Sequence, residues 1–279
     1  MNRNADVNLQ AILNSPSYRL AELDTEFLQR DELRPLRMQL ELLKTEMVFE
    51  EQNVSSTIVV FGSAQIVRRE EAERRLVAAR QALAAHPDRA RLARAVARAE
   101  QILAKSDYYD AAREFGRIAS SRCQKQGRCD YLIVTGGGPG IMEAANRGAF
   151  DVDAKSAGLN ITLPEEQPQN PYVTPELCLR FHYFAMRKFH FLLRAAALVV
   201  FPGGFGTLDE LFNTLTLRQS GCMQEIPIVL YGRQYWERVI NFRFLADEGV
   251  IADKHLDLID FAETPAEAWG IIAKFHNHT

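Results

Sequence analysis

The sequence predicts a doubly wound α/β fold, in which a parallel β-sheet carries helices on both faces. Three observations predict it: nearly continuous apolar runs of strand length, helical segments between most of them, and glycine-rich turns directly after three of the runs. With 279 residues, of which 47% are hydrophobic, the chain is long enough to bury a substantial core in one such domain with extensions.

Residues 1–53 differ in pattern from the rest of the chain and predict a helical N-terminal extension. Apolar side chains between Phe27 and Leu43 recur at helical spacing among many charges, and Pro35 interrupts the pattern. Two interpretations of these amphipathic helices stay open: they pack on their own domain, or they form a subunit interface.

Strands alternate with helices over residues 54–279, and this alternation predicts a second domain whose parallel sheet is wound by right-handed crossovers. The predicted strands are residues 57–63, 131–138, 158–164, 196–204, 226–232 and 256–262. The predicted helices are about residues 108–122, 140–150, 184–195, 207–219, 234–247 and 264–276.

A segment rich in Ala, Arg and Glu, about residues 66–106, is longer than this alternation needs. Its break at His86 and Pro87 predicts two helices that form a hairpin insertion projecting from the edge of the sheet. The arginines raise the possibility of RNA binding, but Glu and Asp are interleaved with them and no aromatic residue accompanies them. A solvated helical face therefore explains the segment better.

Charge and cysteine content narrow the class of partner. The net charge is −3 and the sequence pI is near 6.1, so we expect neither a nucleic acid nor a membrane as partner, but a small molecule. The N-terminus has no apolar leader, and the four cysteines have no spacing typical of a metal site or a disulfide framework. We therefore expect a cytoplasmic protein with reduced thiols.

Glycine-rich turns follow three of the predicted strands and indicate a phosphate site. They are Gly62-Ser63, Gly136-Gly137-Gly138-Pro139-Gly140 and Gly203-Gly204-Phe205-Gly206-Thr207. Parallel strands bring such turns to one edge of the sheet, where glycine lets backbone N–H groups approach an anion and the next helix adds its positive end. One turn alone would be weak evidence, because glycine often occurs at strand-to-helix turns for steric reasons.

The spacing of the glycines excludes two common nucleotide sites. Three residues after Gly138 stands Ile141, and three after Gly140 stands Glu143, so neither position completes a dinucleotide fingerprint. No turn ends in the Gly-Lys-Ser/Thr of a triphosphate-binding loop. A mononucleotide therefore fits better than NAD or a triphosphate.

Three motifs follow one another on this pattern of strands and helices: GGGPGIMEAANRGA at 136–149, MRK at 186–188 and PGGFGTLDE at 202–210. In this order they resemble the LOG (lonely guy) family of cytokinin riboside 5′-monophosphate phosphoribohydrolases, and the resemblance covers about residues 55–275. It implies a Rossmann-like, nucleotide-binding catalytic domain and a homo-oligomer, a dimer or larger. Members are often labelled lysine decarboxylases, but no lysine here sits in a recognisable pyridoxal-phosphate setting.

The resemblance also implies roles for individual residues. Arg187 and Glu210 match the family's catalytic pair, and its phosphate-binding loop matches Gly203, Gly204, Gly206 and Thr207. Other candidates for substrate or phosphate binding are Gly62, Ser63, Gly137, Gly138, Glu143 and Lys188. Alternatives remain for three of the charged residues: Arg187 could cap a surface, Lys188 could face solvent, and Glu143 could cap its helix.

Glu210 has a specific rival explanation, because Thr207-Leu208-Asp209-Glu210 is also the pattern of a helix capping box. Placed in the first turn of a helix, Glu210 would be kept anionic by the helix dipole, so it is expected to act as a base, a nucleophile or a stabiliser of positive charge. Asp209 is expected to serve the helix dipole.

The implied reaction is hydrolysis of the N-glycosidic bond of AMP or a cytokinin riboside monophosphate to free base and ribose 5-phosphate, with no metal or organic cofactor. The alternative is a nucleotide-binding carrier or sensor without turnover, because related folds bind ligands without catalysis. A binder needs the glycines but not the carboxylate, so Arg187 and Glu210 together favour the enzyme. The base preference is not predicted by any motif.

Overall fold

The computed structural model describes residues 3–124, 129–163 and 170–277. In these ranges the sheet has seven strands in the order β4-β3-β2-β1-β5-β6-β7, and every neighbouring pair is parallel. The strands are β1 (Thr57–Phe61), β2 (Leu132–Thr135), β3 (Ser156–Ile161), β4 (Cys178–Phe181), β5 (Ala195–Val200), β6 (Ile228–Tyr231) and β7 (Asp260–Ala262). From β1 the chain winds outward to β4, then returns to β5 beside β1 and winds the other way. The predicted α/β, doubly wound fold class is confirmed.

Two strands differ from the sequence prediction. β4 was not predicted, because it is a short edge strand in which buried and exposed residues alternate. The predicted strand 256–262 begins within a 3-10 helix, Asp253–Leu258, and only its last three residues form a strand, β7. The last residue of the predicted strand 158–164 lies outside the described ranges.

The described ranges also contain α-helices. They are α1 (Arg3–Leu13), α2 (Thr25–Leu28), α3 (Arg34–Glu51), α4 (Arg69–Ala85), α5 (Ala90–Leu103), α6 (Asp107–Cys123), α7 (Ile141–Phe150), α8 (Phe184–Leu193), α9 (Phe205–Gln219), α10 (Arg233–Val239), α11 (Phe242–Asp247) and α12 (Pro265–Phe275). α4 and α5 pack against each other on either side of His86 and Pro87 and form the inserted hairpin.

Two helix predictions need correction. Pro35 does not interrupt a helix: it is the second residue of α3, where its missing N–H has no helical acceptor to lose. The predicted helix 234–247 is two helices, α10 and α11, because the Asn241 side chain accepts a hydrogen bond from the Phe244 N–H and starts a new helix.

The chain forms two compact units, Met1–Thr45 and Glu46–Thr279. Within the first unit, the Arg37 guanidinium donates to the carbonyl oxygens of Leu28 and Arg30, both at 2.6 Å, and ties α3 to the preceding turn. The second unit contains the whole sheet.

The core of the second unit lies in two layers, one on each face of the sheet. In β1, Val59 and Phe61 point to one layer and Ile58 and Val60 to the other, and all of them are buried. α8, α9 and α10 cover the first layer, whereas α6, α7 and α12 cover the second. Such two-sided burial explains why the central strands are continuous apolar runs. It also brings the carboxyl ends of β1, β2 and β5 to one edge.

Within the described ranges, no helix combines the length and the apolar content that a membrane span requires.

Candidate active site

A cavity of about 330 Å³ lies at the carboxyl ends of β1, β2 and β5. Its size is within the usual range for small-ligand sites. It is lined by Phe61, Gly62, Ser63, Ala64, Gly136, Met142, Ile161, Leu163, Phe184, Arg187, Gly204, Gly206, Thr207, Asp209 and Glu210. The three predicted glycine turns therefore meet at one cavity, together with both predicted catalytic residues.

The turn after β1 joins three segments of the chain. The Ser63 N–H donates to the Pro202 carbonyl oxygen at 3.0 Å, and the Ser63 carbonyl oxygen accepts from the Ile141 N–H at 3.1 Å. A Cβ at Gly62 would lie 2.5 Å from the side chain of Ile141. Gly62 therefore serves the close approach of α7 as well as lining the cavity.

The turn after β2 lines the cavity through Gly136, and not through the predicted Gly137 and Gly138. Gly137 has a φ of +71°, and a Cβ there would lie 2.2 Å from the Asn160 side-chain oxygen. Its N–H donates to the Thr135 hydroxyl oxygen, and its carbonyl oxygen accepts from the Asn170 N–H. The structure thus gives Gly137 a conformational and packing role in shaping the turn.

A buried amide network fixes this turn, and sequence reasoning did not find it. The Asn146 side-chain oxygen accepts from the Thr135 hydroxyl at 2.6 Å and from the Asn170 side-chain amide at 2.8 Å. The Asn146 amide in turn donates to the carbonyl oxygen of Ala157 in β3. Asn146 stands in the motif at 136–149 and could be expected to reach the ribose or to cap its helix, but Asn170 lies 24 residues further on, so no motif marked the network as a group.

The turn after β5 leads into α9, which begins at Phe205 with Gly204 as its N-cap. The N–H groups of Phe205, Gly206 and Thr207 have no acceptor within the helix, because they belong to its first turn. No atom lies within 4 Å of where a Cβ would stand at Gly204 or Gly206, so both glycines face open space. Gly203 does not line the cavity: its carbonyl oxygen accepts from the Tyr235 hydroxyl at 2.7 Å.

The capping-box explanation of Glu210 is wrong. α9 begins at Phe205, so Thr207 is its third residue, not its N-cap, and no side chain caps this helix end. Glu210 is the sixth residue and lies beyond the first turn, which contains no acidic residue. The glycine-rich turn lets the helix start earlier than the Thr-x-x-Glu pattern predicts, and Glu210 is freed from any capping role.

Glu210 is buried, with 5% of its surface exposed, and it lines the cavity. Burial raises its pKa to about 7, against the opposing influence of the Lys188 and Arg187 charges. The expectation that the helix dipole keeps Glu210 anionic is therefore replaced: loss of solvent outweighs the nearby positive charge. Near neutral pH the carboxyl group is divided between its two protonation states.

Arg187 lies on α8 and lines the same cavity. Its guanidinium carbon is 5.7 Å from the ring centroid of Phe184 and 5.2 Å from that of Phe191. The Nε atom is buried with no hydrogen-bond partner within the described part of the chain, and burial lowers the pKa of the group. Its charge is thus held in an apolar setting with donors left available for an anion.

The remaining predicted residues lie at different places. Lys188 forms an ion pair with Asp209 at 2.7 Å and does not line the cavity. Asp209 was expected to serve the dipole at the start of α9, but it lies beyond the first turn of that helix. The Glu143 carboxylate accepts from the Tyr109 hydroxyl at 2.7 Å and also lies outside the lining.

Part of the cavity lining is apolar and includes Met142, Ile161, Leu163 and Phe184. Sequence reasoning did not select these residues, although Ile161 and Leu163 stand at the end of a predicted strand, which is the signal that could have found them. Among the described residues, no group of three or more His, Cys, Asp or Glu side chains could hold a metal ion.

Comparisons with known proteins agree with the motif resemblance. A family model described as "Possible lysine decarboxylase" matches residues 142–272. Two curated relatives, each 27% identical over 166 residues or 58% of this chain, are the cytokinin riboside 5′-monophosphate phosphoribohydrolases LOG3 of Arabidopsis thaliana and LOG of Oryza sativa subsp. japonica. The match covers 73% of the first and 65%, just under two thirds, of the second.

Two solved structures are similar to 61% of this chain. One is the molybdenum cofactor binding protein of the phototrophic bacterium Rippkaea orientalis, with 19% identity, 88% of that chain covered and a TM-score of 0.39. The other is the X-ray structure of the structural genomics target TM1055, with 21% identity, 89% covered and a TM-score of 0.40.

Proposed function

We propose that this chain, which resembles the LOG family in its motifs and in its curated relatives, hydrolyses the N-glycosidic bond of a nucleoside 5′-monophosphate to free base and ribose 5-phosphate. The observation that carries the proposal is that a buried carboxylate, Glu210, lines the same cavity as Arg187, whose Nε atom is buried without a hydrogen-bond partner among the described residues. Buried polar groups without partners are rare in folded proteins, and a ligand that supplies the partners explains them.

The 5′-phosphate would bind at the start of α9. The open N–H groups of Phe205, Gly206 and Thr207 and the positive end of the helix favour an anion there, and the absent side chains of Gly204 and Gly206 leave room for it. Arg187 lines the same cavity, and its planar fork suits phosphate or ribose oxygens. The base would then lie against apolar lining residues such as Met142 and Phe184.

Cleavage breaks the bond between C1′ of the ribose and the base nitrogen, and the bonding electrons leave with the base, which takes up a proton. Positive charge develops on the ribose, and the Glu210 carboxylate is the group in the cavity that would stabilise it. Water then supplies the hydroxyl at C1′. Two routes are open to Glu210: it accepts a proton from the attacking water, or it bonds C1′ and is displaced by water.

A homo-oligomer is part of the proposal. Beside the cavity, the outer surfaces of α8 and α9 form an apolar groove of about 610 Å³ that includes Phe189, Leu193 and Met223. Phe189 and Leu193 are 47% and 42% exposed, which is typical of a surface that another subunit covers. A Phe189→Glu variant is expected to lower the molar mass measured by light scattering, and an unchanged mass would contradict this part of the proposal.

We also propose a cytoplasmic location, which the cysteine spacing favours.

The test is to incubate the protein with AMP, with isopentenyl-adenosine monophosphate and with adenosine, and to measure free base by chromatography. Release from one or both monophosphates but not from adenosine supports the proposal and the phosphate site. Binding of monophosphates without any release would overturn it in favour of a carrier or sensor. Equal release from adenosine would contradict the role given to the α9 turn.

A further inference from the structure

The inserted hairpin carries a second cavity that the proposed reaction does not use. It is a groove of about 630 Å³ between α4 and α5, which is within the range of small-ligand sites. Ala72, Ala97 and Ile102 contribute to its apolar floor, and Ala72 is 1% exposed. Arg75, Arg94 and Arg98 also line this hairpin groove.

The arginines of the two helices differ in their partners. Every arginine of α4 has a carboxylate partner: Arg69 pairs with Asp107, Arg74 and Arg75 with Glu71, and Arg80 with Glu100. Glu100 is the single acidic residue of α5, and its carboxylate forms an ion pair with Arg80 of α4. Within the described part of the chain, the α5 residues Arg91, Arg94 and Arg98 therefore have no ion pair or hydrogen bond.

Arg94 and Arg98 stand four residues apart, so their like charges lie next to each other on one face of α5 and repel. An anionic ligand would neutralise both, and two guanidinium forks suit phosphate groups. The apolar floor between them suits the flat body of an organic ligand. We propose that the hairpin groove binds a small phosphorylated organic molecule of about the size of a nucleoside diphosphate.

Two features favour a small ligand over a nucleic acid strand. The groove lining contains no aromatic side chain on which bases could stack. The acidic residues of α4, Glu70, Glu71 and Glu73, interrupt any continuous basic track along the hairpin.

The hairpin groove borders the candidate active site along the chain. Gln65 lines the groove, and its N–H donates to the Ser63 hydroxyl oxygen at 3.0 Å. Ser63 and Ala64 line the cavity at the strand ends. A ligand in the groove would thus contact a segment whose neighbouring residues shape the proposed substrate site, and a change in KM is expected; this consequence alone rests on the proposed function.

The binding itself is tested without any turnover assay. ADP is titrated by calorimetry into the full chain carrying Arg187→Ala, which weakens binding at the first cavity. Adding Arg94→Ala and Arg98→Ala is expected to weaken the remaining ADP binding about tenfold or more. The matched control is Arg91→Ala, an exposed arginine of the same helix outside the groove, and it is expected to change the Kd by less than about twofold.

Three results would overturn the proposal: absence of ADP binding in the Arg187→Ala protein, an unchanged Kd in the Arg94/Arg98 double variant, or an equal loss in the Arg91→Ala control. Tighter binding of a short RNA than of ADP to the same two arginines would also overturn it. If Arg187→Ala does not fold, the titration uses the wild-type chain, where the double variant is expected to remove one ADP per chain. None of these outcomes depends on whether monophosphates are hydrolysed.

Discussion

Arg187 and Glu210 line the same cavity, where Glu210 is buried and the Nε atom of Arg187 has no hydrogen-bond partner among the described residues. The two groups come from successive helices: α8 precedes β5 in the chain, and α9 follows it. Each is deprived of solvent, so burial raises the pKa of the carboxyl group and lowers that of the guanidinium. Such an arrangement costs stability, and cavities that act on ligands are where proteins retain it.

The cost of burying Glu210 predicts a gain in stability when its charge is removed. Its pKa rises from the ordinary 4.5 to about 7, so between these values the folded protein keeps a proton that the unfolded chain has lost. The stability from this group is complete below pH 4.5 and is lost as the pH rises through 7. The free energy of unfolding of Glu210→Gln is therefore expected to exceed that of wild type by about 1–3 kcal/mol at pH 8. At pH 4 the two proteins are expected to differ little. Urea denaturation at both pH values measures this, and an equal effect at both would contradict it.

The pH dependence of catalysis follows from the same carboxyl group. If the reaction needs the Glu210 anion, kcat/KM falls about tenfold per pH unit below about pH 7. Lys188 is the charge that most favours the anion, so Lys188→Gln is expected to move the midpoint to higher pH. Initial rates from pH 5 to 9 test this. If Lys188→Gln leaves the midpoint of the kcat/KM pH profile unchanged, the profile reports the titration of a group other than Glu210.

Arg187→Lys keeps the positive charge but loses the planar fork. A lysine in this position cannot contact two oxygens in one plane, so KM for a monophosphate is expected to rise about tenfold or more. Arg233→Lys is the matched control, because Arg233 also lies over a phenylalanine ring, Phe261 at 4.1 Å, but does not line the cavity. An unchanged KM in Arg187→Lys would contradict a direct contact between the Arg187 guanidinium and the monophosphate.

The glycines of the α9 turn should respond differently to alanine. At Gly206 a methyl group meets open space, so Gly206→Ala is expected to keep or raise stability, by up to about 1 kcal/mol, while obstructing the phosphate and raising KM. At Gly203 a Cβ would lie 2.1 Å from the Thr207 hydroxyl oxygen, so Gly203→Ala is expected to destabilise the fold itself. Thermal unfolding and KM are measured for both variants. Normal KM in Gly206→Ala would show that no ligand approaches there.

The sequence predicts a strand well where both faces of that strand are buried. β1 and β5 are covered on both faces, so their apolar runs are unmistakable. β4 was not predicted, because an edge strand with exposed Cys178 and Arg180 has no such run. The start of α9 was placed too late, because Gly204 caps the helix without any side-chain signal, whereas Thr207 imitates a cap three residues further on.

The sequence predicts that the glycine-rich turns lie together at one site, but it does not predict the pKa of Glu210 or the apolar lining of that site. Parallel strands bring their carboxyl ends together, so the glycine turns can be grouped from the sequence alone. The raised pKa of Glu210 depends on the burial of its carboxyl group in the folded chain, and the apolar lining comes from segments as distant as Met142 and Leu163. Neither property is local in sequence.

The most direct measurement compares release of free base from AMP or isopentenyl-adenosine monophosphate by wild type and by Glu210→Gln at pH 8. With the capping role excluded, this substitution changes only the charge and proton-accepting ability of a buried side chain. The predicted result is release by wild type, and a variant that still binds the monophosphate but releases base on the order of a hundredfold more slowly. Release at the wild-type rate by Glu210→Gln would contradict the assignment of Glu210 as the catalytic carboxylate.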